Sequence, residues 1–267
     1  MAVMDAPATA AGDHGSPYRE GTQAAVRLDH VTKAFGSRRV LDEVSFEVQE
    51  GCGFVILGRS GTGKSVTLKH IIALVRPDKG RVYVGDDEIS ALSGAELARV
   101  RKQLGFLFQN AALFDSISVG ENVAFPMRRH TDLGDADIRK RATEKLEAVG
   151  LGSEYDKMPA DLSGGMRKRA GLARALALDP AILLVDEPSA GLDPITADEI
   201  DTLLLDLKQR GGTTLIVVTH NIPSARRLGD QLAMLHEGRI VAQGTPAELD
   251  RSSDKMVRAF MSSHNAG

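Results

Sequence analysis

The chain has no tryptophan, and its few Tyr and Phe residues bring the aromatic content to only 4%. That leaves too few rings for a base-stacking surface of the kind that holds single-stranded nucleic acid. A net charge of −3 closes the other route to nucleic acid, bulk electrostatic attraction. A single cysteine, Cys52, excludes an internal disulfide and suits a reducing compartment. Long apolar runs are missing too. "FVILG", "AILLV" and "TLIVV" are strand-sized, against the ~20 residues that a membrane-spanning helix needs. The opening stretch "MAVMDAPATAAGDHGSPYREGTQ" lacks a basic start and a sustained apolar segment, so no secretory signal is expected. These absences lead to one expectation: a cytosolic protein that touches membranes only through a partner and does not bind nucleic acid.

What is present is ordinary in bulk and specific in pattern. The chain has 267 residues, 42% hydrophobic and 26% charged, enough for one large α/β domain with a sizeable core. Residues 1–25 are rich in small residues, Gly and Pro, and are expected to form a mobile leader. "VRLDHVTKAF" (26–35) and "VLDEVSFEVQEG" (40–51) alternate as paired strands. "GFVILG" is apolar throughout, as a strand buried on both faces requires. Strand and helix patterns then alternate up to "LGFLFQN" (104–110), read as a strand ending at Gln109. From about 110 to 178 the apolar spacing is helical, and after "AILLVDEP" the alternation resumes. Such alternation predicts a mostly parallel sheet with helices on both faces.

The motifs carry phosphate chemistry. "GRSGTGKS" (58–65) fits G-x-x-x-x-G-K-[ST] between an apolar strand and a helical pattern. In such a loop the backbone of Gly58, Arg59, Ser60, Gly61, Thr62 and Gly63 curls around the phosphates. Lys64 brings positive charge to them, and Ser65 offers a hydroxyl to Mg²⁺. Asp186 ends the strand "AILLVD" and would orient Mg²⁺, while Glu187 can accept a proton from an attacking water. Gln109 can bind the metal or that water, and His220, ending "TLIVVTH", can donate to a γ-phosphate. Taken singly, Gln109 reads as a polar loop residue and His220 as a bystander. Phe35 is the candidate adenine platform, although an aromatic residue in a strand is more often core. The second glycine loop, "LSGG" (162–165), opens another helix and offers a second anion cradle.

The order of these parts, from Val26 to Gly244, resembles the nucleotide-binding domain of ATP-binding cassette (ABC) transporters. The resemblance implies a P-loop NTPase (RecA-like) core with an antiparallel β-subdomain and an inserted α-helical subdomain. It implies domain limits of 26–250, with the helices at about 110–178 and a tail over 251–267. It implies ATP and Mg²⁺ as cofactors, with Ser65, Gln109 and Asp186 toward the metal. It makes Glu187 the general base and has His220 and Gln109 sense the γ-phosphate and metal. Such domains pair head to tail, so Ser163, Gly164 and Gly165, with Asp193 in "SAGLDP", would face the ATP of a second copy. ATP then joins the subunits, and hydrolysis releases them.

Two residues depart from the family pattern. Met166 stands where the signature usually has Gln, so a polar contact beside the cradle is absent. Val66 replaces a Thr that commonly reaches the α-phosphate; its backbone N–H can still serve. "SGTGKSV", "LSGGM" followed by "RKRAGLARALA", and "DEPSAGLDPIT" together resemble the ATPase of MCE-type lipid transporters such as the bacterial maintenance-of-lipid-asymmetry (Mla) system. That resemblance implies phospholipid transport between inner and outer membranes from the cytoplasmic side of the inner membrane. The partners it implies are an integral-membrane permease, a periplasmic MCE-type lipid-binding protein and a small STAS-domain protein. An importer for amino acids or other small solutes is the alternative, although its signature would more often read "LSGGQ". Stand-alone cassettes of translation usually carry two copies per chain, and those of DNA repair a long coiled coil; neither architecture fits. In the tail, Met256, Val257, Phe260 and Met261 share one side of a helix. That helix either packs on its own domain or serves as a handle for another subunit.

Overall fold

The computed structural model describes residues 24–263. The expected mobile leader therefore lies outside the described residues except at its end, where Ala24 and Ala25 already belong to the first strand.

β1 (Ala24–Phe35) and β2 (Arg38–Gln49) form an antiparallel hairpin, and β4 (Lys79–Val84) joins β1 on its other side. The larger sheet has six strands. They are β3 (Gly53–Leu57), β5 (Leu104–Leu107), β6 (Ile182–Asp186), β7 (Thr214–Thr219), β8 (Gln231–His236) and β9 (Arg239–Gly244), in the order β5-β6-β7-β3-β8-β9. All neighbours run parallel except β8 and β9. Every residue of β3, β5, β6 and β7 is buried, which is why these strands read as unbroken apolar runs rather than alternating ones.

The two sheet faces feed two cores, as the period of two requires. Val55, Leu57, Leu183, Val185 and Val217 pack toward the helices on one face. Phe54, Ile56, Leu184, Ile216 and Val218 pack toward the antiparallel sheet on the other, where Phe54 stacks on Phe46 at 4.9 Å.

Helices α1 (Lys64–Ile71) and α2 (Gly94–Arg101) follow β3 and β4. The segment after β5 holds α3 (Val119–His130), α4 (Asp135–Ala148) and α5 (Gly164–Ala175), joined by two 3₁₀ turns and no strand. β5 ends at Leu107, so Gln109 lies in a turn two residues beyond it rather than at the strand's end. Helices α6 (Pro194–Gly211) and α7 (Ile222–Leu228) complete the alternation. The short α8 (Pro246–Asp250) and α9 (Lys255–Ser262) close the described chain. Val257 and Met261 of α9 are buried in the first core, with Met256 and Phe260 packed at its margin.

Parallel register sets the rest. Asp186 lies opposite Val218, and Leu57 opposite Thr219. The residues that follow β3, β6 and β7 therefore emerge at one carboxyl edge of the sheet, where α/β folds place ligands.

Candidate nucleotide site

The loop from Gly58 to Gly63 leaves β3 and turns at once into α1. Gly63 caps α1 at φ 106°, and a Cβ there would stand 2.8 Å from the Val40 carbonyl oxygen, so only glycine fits. At Gly58 a Cβ would meet the Leu235 carbonyl oxygen at 2.4 Å. Thr62 ties the loop internally, its hydroxyl donating to the Arg59 carbonyl at 2.9 Å. Lys64 is 5% exposed, and its Nζ donates to the carbonyls of Gly58 and Arg59 at 2.8 and 3.1 Å. The ammonium is thus curled under the loop it belongs to.

The acids arrive from β6. Asp186 is buried, and its Oδ1 accepts the Ser65 hydroxyl at 2.7 Å. Burial pushes this carboxyl above the ordinary carboxylate range; the Ser65 hydrogen bond opposes that and the neighbouring Glu187 adds to it. Glu187 Oε1 lies 3.2 Å from Lys64 Nζ, and its Oε2 lies 2.9 Å from His220 Nδ1. Lys64, Ser65, Asp186, Glu187 and His220 thus form one connected group drawn from three strand ends. A hydroxyl beside an aspartate is a hard-oxygen pair that fits Mg²⁺, and a lysine beside a glutamate can hold an anion next to a proton acceptor.

Glu187 has an unusual backbone. Its φ is 47°, in the left-handed region that residues with a Cβ seldom occupy. Three bonds keep it there: its N–H donates to the Val218 carbonyl at 2.9 Å, and its carbonyl accepts Lys168 Nζ at 2.9 Å and the Ala190 N–H at 3.2 Å.

The remaining predicted residues sit apart from this group to differing degrees. Phe35 ends β1 half-exposed, with Lys33 Nζ 5.5 Å from its ring centre. Its ladder partner Arg38 donates to the Gly61 carbonyl at 3.2 Å, which ties the hairpin tip to the phosphate loop. Gln109 is exposed and hydrogen-bonds to neither acid among the described residues. Val66 is partly buried against the second core.

Ser163 and Gly164 are exposed at the start of α5, and Gly165 beside them is buried. Ser163 caps α5, its Oγ accepting the Met166 N–H at 3.2 Å. Asp193 caps α6, accepting from the N–H groups of Ile195 and Thr196 and from the Thr196 hydroxyl at 2.6 Å. These bonds, with the Thr196 hydroxyl foremost, hold its carboxyl below the usual range. The two caps adjoin. A Cβ on Gly164 would stand 3.7 Å from Leu192, and one on Gly165 would stand 2.4 Å from Thr196. Met166 packs at the edge of the first core.

Sequence reasoning missed Arg38 and Lys168. Arg38 falls between the two strand patterns at 26–35 and 40–51, and Lys168 within "RKRAGLARALA". No local signal marked either residue.

A glycine loop on a strand-helix junction, its lysine against a glutamate and its serine against an aspartate, defines a P-loop ATPase of RecA-like architecture. The chain belongs to the ABC transporter family, whose match spans residues 41–190. It is similar to the "Probable ribonucleotide transport ATP-binding protein mkl" of Mycobacterium leprae, 42% identical over 95% of this chain and 73% of that protein. It is similar to the "Intermembrane phospholipid transport system ATP-binding protein MlaF" of Haemophilus influenzae, 39% identical over 92% and 93% of the two chains. Among solved structures it resembles the post-hydrolysis dimer of the cassette MJ0796 bound to ADP and Pi. That likeness has a TM-score of 0.77 and 35% identity, covering 82% of this chain and 98% of that one. Family and fold together make it an ATP-hydrolysing cassette.

Proposed function

We propose that the chain is the ATPase subunit of an inner-membrane ABC transporter that moves phospholipid between inner and outer membranes, and that it works as a head-to-tail homodimer. The observation that carries the dimer is the division of the motifs. Lys64, Ser65, Asp186, Glu187 and His220 gather at one sheet edge. Ser163 and Gly164 instead lie exposed at the start of α5, beside the Asp193 cap of α6. A cradle that its own chain does not use suits the nucleotide of a second copy.

In this mechanism the loop N–H groups and Lys64 bind the phosphates. Phe35 stacks on adenine, and the backbone N–H of Val66 serves the α-phosphate. Ser65, Asp186 and Gln109 hold Mg²⁺, which supplies charge neutralisation for phosphoryl transfer. Glu187 accepts the proton of the attacking water, and His220, bonded to it, keeps its carboxylate in place. Ser163 and the Gly164 and Gly165 N–H groups close over the partner's γ-phosphate, with Asp193 shaping the adjoining loop.

The lipid cargo is supported by the MlaF relative, matched along nearly its whole length, and by the "LSGGM" signature. No helix among the described residues is long and apolar enough to cross a membrane. Attachment to the membrane runs through a permease, the kind of partner that transporter ATPases of this family serve. Its seat is the groove where the half-exposed rings of Phe114 and Phe125 meet at 5.0 Å, beside the turn that carries Gln109. A periplasmic MCE-type protein and a STAS-domain protein complete the assembly.

The test has two arms. Glu187→Gln should nearly abolish hydrolysis and trap an ATP-dependent dimer in gel filtration, and adding Ser163→Arg should prevent that dimer. Purification of the assembly in mild detergent should return a permease with an MCE-type protein. A periplasmic solute-binding protein in their place would replace the lipid reading with import. An ATP-dimer that survives Ser163→Arg would remove the cross-subunit cradle.

A further inference from the structure

Helix α5 begins in the surface proposed to face the partner's nucleotide and runs back into its own chain. Ser163 caps it at the surface. Lys168, five residues on and about 7.5 Å along the axis, is 5% exposed, and its Nζ donates to the Glu187 carbonyl at 2.9 Å. Arg174, further along, donates to the carbonyls of Ala112 and Ala111, each at 2.7 Å. Those two residues follow Gln109 closely, and both are left-handed, at φ 51° and 59°. One rigid helix thus touches the trans surface, the chain's own Glu187 and the turn after Gln109.

The Lys168 contact is unusual in kind. Its neighbours in the run "RKR" are less buried: Arg167 is exposed and donates to the Leu162 carbonyl, and the half-buried Arg169 pairs with the exposed Glu199. Lys168 alone is buried. Burial holds its ammonium below the ordinary lysine range, and the charges of Asp186 and Glu187 oppose that. Burying an ammonium is costly, and the hydrogen bond it makes goes to a carbonyl rather than to either carboxylate. What the bond fixes is the orientation of the peptide after Glu187. That residue sits at φ 47°, with its N–H on Val218 and its carbonyl on Lys168 at 2.9 Å and on the Ala190 N–H at 3.2 Å. Both ends of the left-handed residue are pinned, so its carboxylate is aimed between Lys64 and His220. Without the Lys168 bond, the carbonyl end keeps only the longer Ala190 bond at 3.2 Å and has more freedom to turn and swing the carboxylate away.

We infer that Lys168 is a positioning residue that passes the seating of α5 on one nucleotide to the Glu187 of the other site, and so couples hydrolysis at the two ATP sites of the dimer. This rests on the head-to-tail dimer proposed above.

The test uses the full chain and MgATP. Lys168→Met keeps the length and apolar stem but removes the donor. It should lower kcat on the order of 10–100-fold, as a misplaced reacting group does. KM should stay within about twofold, and the Hill coefficient for ATP should fall from above 1 to 1. Lys168→Arg restores a donor and should recover most of kcat and of the cooperativity. Lys168→Gln, shorter and neutral, should fall between and stands in should the Met variant fail to fold. Glu187→Gln with Lys168→Met should still trap the ATP-dimer. Unchanged kcat and Hill coefficient in Lys168→Met would overturn the inference. So would a kcat loss with cooperativity intact and no rescue by Arg, which marks a merely structural lysine. A wild-type Hill coefficient of 1 would overturn it as well. If Glu187→Gln alone traps no dimer, the dimer reading fails and the coupling fails with it.

Discussion

Adding one methyl group to Gly165 should destabilise the fold, whereas the same change at Gly164 should not. A Cβ built on Gly165 stands 2.4 Å from Cγ2 of Thr196, where non-bonded carbons need about 3.5–4.0 Å. Thr196 is not free to turn aside. Its hydroxyl donates to Asp193 Oδ2 at 2.6 Å and its N–H to Oδ1 at 3.0 Å. Relief must therefore move the start of α5 or the start of α6 by about 1 Å. Overpacking of this kind costs ~1–3 kcal/mol, and replacing a helical glycine by alanine returns ~0.5–1 kcal/mol. The net runs from about zero to a loss of ~2.5 kcal/mol, or up to ~10 °C in melting temperature for a domain of this size. At Gly164 the nearest atom, Leu192 Cδ2, would be 3.7 Å from the new methyl, an ordinary contact. There the stability should hold or rise by ~0.5–1 kcal/mol. Displacing the Ser163 cradle by about 1 Å should cut ATP turnover up to ~100-fold in Gly165→Ala. Urea unfolding followed by circular dichroism, with steady-state hydrolysis of MgATP, reads both effects. Gly165→Ala with wild-type stability and turnover, or Gly164→Ala the less stable of the two, would refute the reasoning.

Two further substitutions probe parts of the fold outside the nucleotide group. Asn122 is fully buried, and its amide bonds the Phe114 N–H and the carbonyls of Phe114, Ile117 and Ser118. Asn122→Ala should cost ~2–4 kcal/mol, because several loop groups lose their partner at once. It should also expose residues 113–118 to limited proteolysis, and a resistant, equally stable variant would show that the loop shapes itself. Burial holds the Asp201 carboxyl above the ordinary range, only partly opposed by the Ser224 hydroxyl at 2.6 Å. The folded state therefore keeps this proton to higher pH than the unfolded state does. Stability falls as pH rises from about 3.9 through the raised value, by at most ~1.4 kcal/mol per pH unit. Asp201→Asn has no proton to lose, so wild type should lose urea stability relative to it between pH 4 and pH 7. Parallel pH profiles would contradict this.

The nucleotide group was readable because its parts are local. A loop that must hold positive φ beside Val40 needs glycine at 63, and two acids ending an apolar strand need only that strand. The strand-helix alternation carried the sheet in the same way, since burial on both faces leaves unbroken apolar runs. Boundaries were less readable. Gln109 lies beyond β5, and Ala24 already pairs with Gln49, because a strand ends where its neighbour stops pairing and not where its own pattern changes. Asp193 was read by motif as part of an interface, and its cap on α6 is equally written in "DPIT", with Pro at the first helical position.

By itself, then, the chain's order of residues determined which groups stand at each strand end: a glycine loop with its lysine and serine, two acids, a histidine. It also determined that two glycine loops open two helices. Only the tertiary structure decided which of three adjacent cations in "RKR" is buried, and that Arg38 reaches the phosphate loop. The reason is distance along the chain. Lys168 meets Glu187 across 19 residues and Arg38 meets Gly61 across 23, so neither contact leaves a periodic or local trace. Parallel pairing brings the ends of β3, β6 and β7 to one edge, and helix α5 packed against that edge finds Glu187 there.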